Sequence, residues 1–191
     1  MKKITLFICT ALCITAFAKL HAQDDAAMKA WQNYMTPGDV HKMLATSDGT
    51  WNEDITMWMA PGVPATKSTA TAENKMILGG RYQQSTTKGT FNNMPFEGIS
   101  TLGYDNAKKV FMNSWVDNMG TGIMQMQGTW DPAAKTINFK GTSVDPTTGK
   151  DMNVRETFTL VDNNTQMMTM YNTVQDGKEY KSMEIKFTRS K

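Results

Sequence analysis

The chain has little cysteine and histidine. Its two cysteines are Cys9 and Cys13, and its two histidines are His21 and His41. If residues 1–22 are removed, as expected below, no thiol and a single imidazole remain. This excludes a disulfide framework, a cysteine nucleophile and a thiolate metal site, and one histidine is too few for a histidine-rich metal centre. With no recognisable catalytic motif, the sequence gives no positive indication of an enzyme.

Apolar runs long enough to span a bilayer are also missing. The longest, Ile4 to Ala18, follows Lys2 and Lys3 and precedes small residues near Ala22. A short positive segment, a short apolar run and a small residue at the cut site are typical of a secretory signal peptide. We therefore predict that residues 1–22 are a signal peptide and that the protein is periplasmic or secreted.

The mature chain has almost no net charge. Removing Lys2, Lys3 and Lys19 leaves 17 basic against 18 acidic residues, a net charge of −1. No basic stretch remains to attract nucleic acid or an anionic membrane. We expect neither as a partner, and no integral membrane segment after signal removal.

Residues 23–48 differ from the rest because they favour helix. The first half is rich in alanine, and a second short helix is predicted with Thr36 as its N-cap, Pro37 at its first position and Asp39 in its first turn. Val40, Met43 and Leu44 would form its apolar stripe. This segment is expected to pack on the domain that follows.

From residue 49 to residue 191 the chain alternates between β-type runs and turn residues. The predicted strands are 50–59, 66–78, 80–88, 95–104, 108–117, 121–130, 135–144, 150–161, 165–175 and 178–189. Turns recur without intervening helices, so each strand folds back on the one before it. A long meander of this kind removes its free edges by closing. We predict an all-β fold, a roughly ten-stranded antiparallel up-and-down barrel, with a two-sheet sandwich as the alternative.

Short motifs occur in a recognisable order along the mature chain. They include Met35-Thr36-Pro37-Gly38, Gly49-Thr50-Trp51, Met76-Ile77-Leu78-Gly79-Gly80-Arg81-Tyr82, Met94-Pro95-Phe96-Glu97-Gly98 and Trp115-Val116-Asp117-Asn118-Met119-Gly120. The chain resembles an uncharacterised bacterial family of exported domains. The resemblance implies a lipocalin-like (calycin) barrel and no established activity. Gly49-Thr50-Trp51 also resembles the Gly-x-Trp of lipocalins, whose indole closes the barrel floor, but no lipocalin-type arginine motif that would cover it is recognisable.

Seventeen methionines are the most unusual feature of the composition. Thioethers suit Cu(I), but flexible methionines also suit a core or a cavity that accepts varied apolar ligands. His41 is a candidate axial haem ligand, or else has a surface or capping role on its helix. The weak metal candidates are His41, Met124 and Met126; no cofactor is predicted.

Acidic and basic side chains within strands allow two interpretations. Asp54, Glu97 and Glu156 lie within predicted strands, where a buried acid would need a partner such as Arg81 or Arg155. An inward Arg155 would recognise the carboxylate of a fatty-acid-like ligand. The alternative is a solvated outer face, which the period-two pattern does not exclude.

The function that we expect is an exported, non-enzymatic barrel that binds a small apolar ligand in its interior. The candidate ligand-binding residues are Trp51, Met57, Arg81, Trp115, Met126 and Arg155. A copper or haem binder is one alternative. A structural or interaction module is another, with two-sided strands as the surface of a homodimer.

Overall fold

The structure, a computed structural model, describes residues 24–173 and 177–191. The predicted signal peptide therefore lies outside the described residues. The chain divides into two compact units, Met1–Thr36 and Pro37–Lys191. In the first, residues 24–35 form helix α1, in which the rings of Trp31 and Tyr34 meet edge to face with their centroids 6.0 Å apart. No described helix is both long and apolar enough to cross a membrane.

Helix α2 (Asp39–Ala45) opens the second unit. The predicted N-cap at Thr36 is wrong by two residues, since Gly38 holds that position and Pro37 precedes the helix. The reason is that the His41 side chain reaches back, where its Nδ1 accepts the backbone N–H of Gly38 at 3.1 Å. This satisfies a donor that a helix start otherwise leaves unpaired.

Ten strands follow α2 and form one closed sheet. They are β1 (Gly49–Met57), β2 (Thr66–Ile77), β3 (Tyr82–Phe91), β4 (Met94–Asp105), β5 (Val110–Asp117), β6 (Met124–Asp131), β7 (Thr136–Val144), β8 (Asp151–Asp162), β9 (Thr165–Thr173) and β10 (Glu179–Arg189). Each pairs antiparallel with its neighbours in sequence, and β1 also pairs with β10. The predicted ten-stranded up-and-down barrel is confirmed, and the sandwich alternative is excluded.

Aspartates build several of the turns between strands. The carboxylate of Asp105 accepts the N–H groups of Ala107 and Lys108, and Asp131 does the same for Ala133 and Ala134. This side-chain mimicry of a backbone turn is why aspartates mark hairpin turns in a sequence. Strand positions agree closely with those predicted, although residues 174 and 175 of the predicted ninth strand are not among those described.

One end of the barrel is filled by side chains. Phe111, Ile137 and Phe139 are fully buried there, and Leu44 of α2 packs against the same cluster. The Nε2 of Gln83 donates to the Leu44 carbonyl at 2.7 Å, which fixes α2 to the barrel. The predicted stripe is confirmed, because Val40 and Met43 also pack on this core. We call this end of the barrel the closed end. The domain boundaries at residues 23, 48 and 49 remain predictions from the sequence.

Candidate functional site

The closed end is sealed by Trp51 at the start of β1. Its indole is fully buried, and its Nε1 donates to the carbonyl of Ser47 at 2.9 Å. Arg189, at the end of β10, lies over this ring with its guanidinium carbon 4.3 Å from the ring centroid. An arginine therefore covers the tryptophan, although no lipocalin-type arginine motif is recognisable in the sequence. Sequence reasoning missed Arg189 because no motif surrounds it; the β1–β10 pairing of Trp51 with Arg189 brings it there.

The other half of the barrel encloses a cavity of about 1050 Å³. A volume of this size accommodates a drug-sized or lipid-like molecule. Its apolar walls combine flexible and aromatic side chains, which come from most of the strands: Ile55, Met57, Phe91, Phe96, Leu102, Trp115, Met124, Phe139, Phe158, Met168, Met170, Met183, Ile185 and Phe187. Methionine and phenylalanine walls adapt to ligands of varied shape.

Exposed apolar side chains surround the end opposite α2. The cavity extends to the β5–β6 and β7–β8 connections at this end. Met119, Ile123 and Val144 lie there, and Ile123 is 65% exposed. An apolar ligand entering by this mouth would stay in contact with apolar surface.

Trp115 forms part of the wall near the mouth. Its ring lies against Gly98 of β4, where any Cβ would overlap the six-membered ring of the indole. It stacks on Phe96 with centroids 6.3 Å apart, and its Nε1 donates to Asp117 at 2.7 Å. These three contacts hold a large aromatic surface in one orientation towards the cavity.

Two buried glutamates bring carboxyl groups into this apolar space. Glu53 of β1 is 4% exposed, and Glu156 of β8 is 6% exposed. Burial raises the pKa of each to about 7. For Glu53, a hydrogen bond donated by the Thr87 hydroxyl at 3.3 Å opposes this rise in pKa. Each acid therefore changes its charge near neutral pH, unlike an ordinary surface glutamate.

Two deeper amides, Gln166 and Gln83, are bonded through their nitrogens, whereas the buried Oδ1 of Asn74 has no hydrogen-bond partner among the described residues. The Nε2 of Gln166 donates to the Ser47 hydroxyl at 2.7 Å, and the Nε2 of Gln83 also donates to the Asp48 carboxylate at 2.9 Å. These bonds tie the cavity floor to the segment that follows α2. Neither of these two bonds involves Glu53 or Glu156.

The predicted ligand-binding residues fall into three groups. Met57 and Trp115 line the cavity, whereas Trp51 and Met126 belong to the packed interior beside it. Both arginines lie elsewhere. Arg81 donates from Nη1 to the Leu78 carbonyl at 3.1 Å, in the turn between β2 and β3.

Arg155 alternates with the inward-facing Glu156 and projects from the opposite face of β8. Its Nη2 is 2.9 Å from Glu179, and its guanidinium carbon lies 3.9 Å from the Tyr171 ring centroid. This arginine is held in an outer cluster by strand alternation, so the structure does not place it where it would meet the carboxylate of an enclosed ligand. Glu53 was missed, although it shares the inward period-two face of β1 with Trp51.

The weak metal candidates do not form one group. Met124 lines the cavity and Met126 is buried beneath it on the same face of β6, while His41 lies in α2 at the closed end. His41 is 5% exposed and meets the Tyr104 ring edge to face, with centroids 6.1 Å apart. Among residues 24–173 and 177–191, no three histidine, cysteine or acidic side chains gather as a metal site would require.

A second depression, of about 870 Å³, lies where β2 and β3 separate. Their ladder stops at Ala70 and Gly89, so Thr66–Thr69 pair with β1 alone. Its lining is mostly polar, with Asn52, Asp54, Lys67, Lys88, Asn92 and Asn93. An open polar depression offers less to an apolar ligand than the larger, mostly apolar cavity does, so the cavity is the candidate site.

Comparison with known proteins agrees with this fold. The profile of a family described as "Protein of unknown function (DUF1579)" matches residues 36–189. No curated protein is significantly similar in sequence. Two solved structures share the fold: Rv2717c from M. tuberculosis (10% identity, TM-score 0.59, covering 82% of this chain and 100% of that one) and the S-type phycobiliprotein lyase CPES from Guillardia theta (10%, 0.54, 80% and 93%).

Proposed function

The chain belongs to the DUF1579 family, and we propose that its barrel is a binding protein that holds a small, mostly apolar molecule in the interior. The observation that carries this proposal is the cavity of about 1050 Å³ with its methionine and phenylalanine walls. Protein interiors normally pack without voids of this size. A barrel that is packed with bulky side chains at one end and open at the other is suited to binding a small molecule.

The energetics of such binding are favourable. A ligand that buries about 300 Å² of apolar surface gains roughly 7 kcal/mol from desolvation, before the entropy of association is subtracted. The walls already stand in a closed sheet, so little further ordering is needed. Because a dissociation constant of 1 μM corresponds to about 8 kcal/mol, the remaining gain corresponds to an affinity weaker than micromolar.

The structural neighbours support the proposal only through the shared barrel. One of them is named as a phycobiliprotein lyase, and at 10% identity that name transfers no ligand to this chain. The expected signal peptide at residues 1–22 is part of the same proposal, with binding taking place in the periplasm or outside the cell. No described contact favours haem or copper at His41, whose Nδ1 already accepts the Gly38 N–H.

The test is a titration with N-phenyl-1-naphthylamine, a neutral apolar probe whose fluorescence rises when it leaves water. Ser85 and Ser100 face each other across β3 and β4 and both line the cavity, so Ser85→Phe with Ser100→Phe places two rings in the space. Gln84→Phe with Thr101→Phe is the matched control, since Gln84 and Thr101 form the adjacent cross-strand pair and alternate to the outer face.

We expect saturable one-to-one binding that the cavity pair weakens about tenfold or more and the outer pair leaves unchanged. Circular dichroism confirms that both variants fold, and Ser85→Phe alone serves if the cavity pair does not. Absence of saturable binding, or equal losses in both pairs, would overturn the proposal.

A further inference from the structure

Glu156 is a buried acid that forms no pair with any of the described residues. It lies in β8 opposite Phe139 and Met170 of the flanking strands, is 6% exposed and lines the cavity. None of the described residues donates a hydrogen bond to its carboxyl group. A buried polar group in a native protein is normally satisfied, so an unpaired one that faces an enclosed space points to something that occupies the space.

Glu53 presents a second carboxyl to the same cavity. It is 4% exposed, and its described partner is the Thr87 hydroxyl at 3.3 Å. A carboxylate accepts up to four hydrogen bonds, so this contact leaves most of its capacity open. Two acids from different strands, β1 and β8, thus line the same cavity.

The charge around this space has one sign. Four of the described residues that line the cavity are ionisable, namely Glu53, Asp117, Asp151 and Glu156, and none is lysine, arginine or histidine. The cations next to Glu156 in the sheet are Lys140 and Arg155, which alternate to the outer face. Among the described residues, no cation lines the cavity, and Lys67 and Lys88 line the separate depression that Glu53 also borders.

An apolar wall with unpaired carboxyls is complementary to an amphipathic cation. We propose that the molecule held in the barrel carries a protonated amine, which Glu156 and Glu53 bind, on an aliphatic or aromatic body that packs against the methionines and phenylalanines. This rests on the proposed function, because it concerns the same cavity. An ion pair formed within the barrel would offset part of the cost of burying the carboxylates, and the low water content of the cavity would strengthen the attraction.

The same arrangement disfavours the fatty-acid-like ligand considered from the sequence. A carboxylate in this cavity would meet four acidic groups and no cation. Like charges at close range raise each other's ionisation cost, so such a ligand would bind only in its neutral form. The charge of the head group, at constant chain length, therefore separates the two ligand classes.

The experiment displaces bound N-phenyl-1-naphthylamine with decylamine, decanol and decanoate, below their micelle-forming concentrations. At pH 8 we expect decylamine to displace the probe at a concentration about tenfold below that of decanol, with decanoate weakest. Decylamine stays protonated from pH 5.5 to pH 8, as a lysine does. Since the glutamates are neutral at pH 5.5, the preference for the amine should fall to about threefold or less there.

Glu156→Gln keeps the shape and removes the charge, and it should abolish most of the preference while the probe still binds. Glu73→Gln is the control, because Glu73 is an exposed acid on β2 outside the cavity and should leave the preference intact. Equal displacement by decylamine and decanol, stronger displacement by decanoate, or an unchanged preference in Glu156→Gln would each overturn the inference while leaving the binding function standing. Failure of the probe itself to bind would overturn both.

Discussion

The guanidinium of Arg189 lies over the indole of Trp51 and so joins the last strand of the barrel to the first. The two residues are register partners across the β1–β10 seam. Arg189 also donates to the carbonyls of Thr46 at 2.6 Å and Asp48 at 2.7 Å. One side chain therefore covers the floor tryptophan and caps the chain that leads from α2 into β1.

Arg189→Ala should destabilise the protein by about 2 kcal/mol, because it removes a cation–π contact and charge-assisted hydrogen bonds. Trp51→Phe should cost about 2–4 kcal/mol, since it removes a buried indole and its donor to Ser47. Urea unfolding of both single variants and the double variant measures their coupling, expected at about 1 kcal/mol. Strict additivity would show that Arg189 gains nothing from the indole over a phenyl ring.

The buried glutamates should give the protein an unusual pH dependence. Their pKa is about 7 when folded against 4.5 for the unfolded reference. The folded state keeps protons that the unfolded chain has lost, so the free energy of unfolding should fall between pH 4.5 and 7 and then level off. Each group accounts for a decline on the order of 3 kcal/mol.

Glu156→Gln should remove its share of that decline and be the more stable protein at pH 8. His41 acts in the opposite sense, so the measured quantity is the difference between wild type and variant from pH 4.5 to 8 in urea. Glu73→Gln should follow the wild type throughout. Parallel curves for wild type and Glu156→Gln would show that Glu156 is not held in a desolvated site.

Gly98→Ala should disturb the cavity wall without touching a polar group. The new Cβ overlaps the ring of Trp115, which must move and loosen its bond to Asp117. We expect a loss of about 1–3 kcal/mol in stability and a shifted tryptophan emission maximum. Gly120→Ala is the control, since a Cβ there meets nothing within 4 Å; similar effects at both positions would argue against this packing.

His41→Ala should cost about 1 kcal/mol by leaving the Gly38 N–H at the start of α2 without its acceptor. Burial lowers the pKa of His41, opposed by a hydrogen bond with the Tyr104 backbone that raises it. The neutral ring is thus the stabilising form, and wild type should lose this advantage as the pH falls through the lowered pKa of His41 while the variant does not. The probe should bind both proteins equally, whereas a weakened affinity in His41→Ala would place this histidine at the site.

The order of strands was predictable because each turn contains residues that are typical of turns. Asp105, Asp131 and Asp162 accept backbone N–H groups within their own turns, so their identity reports the turn directly. The start of α2 was misplaced because its cap uses the side chain of His41, a residue seldom chosen for that task. A hydrogen bond from a side chain to a nearby backbone group depends on local geometry, which the preferences of single residues do not encode.

The site was predictable only in part, because alternation gives two faces without saying which is inside. Trp51 orients β1, and counting by twos from it reaches Glu53, Ile55 and Met57, so Glu53 was within reach of the sequence. Arg155 and Glu156 are adjacent in β8, so only one of the two can face the interior. Glu156 faces inward because it pairs with the buried Phe139 of β7. Arg189 lies 138 residues from Trp51 in the chain, and closure of the sheet alone brings the two together.

Native mass spectrometry of the wild-type protein, purified without detergent from cells that produce it, shows whether the barrel holds a molecule. We expect a non-covalent mass excess that disappears on denaturation and is missing from the Ser85→Phe with Ser100→Phe variant. We also expect emptied wild-type protein to take up one molecule of decylamine. An empty mass in every preparation, together with no uptake of decylamine, decanol or N-phenyl-1-naphthylamine, would rule out a ligand-binding barrel.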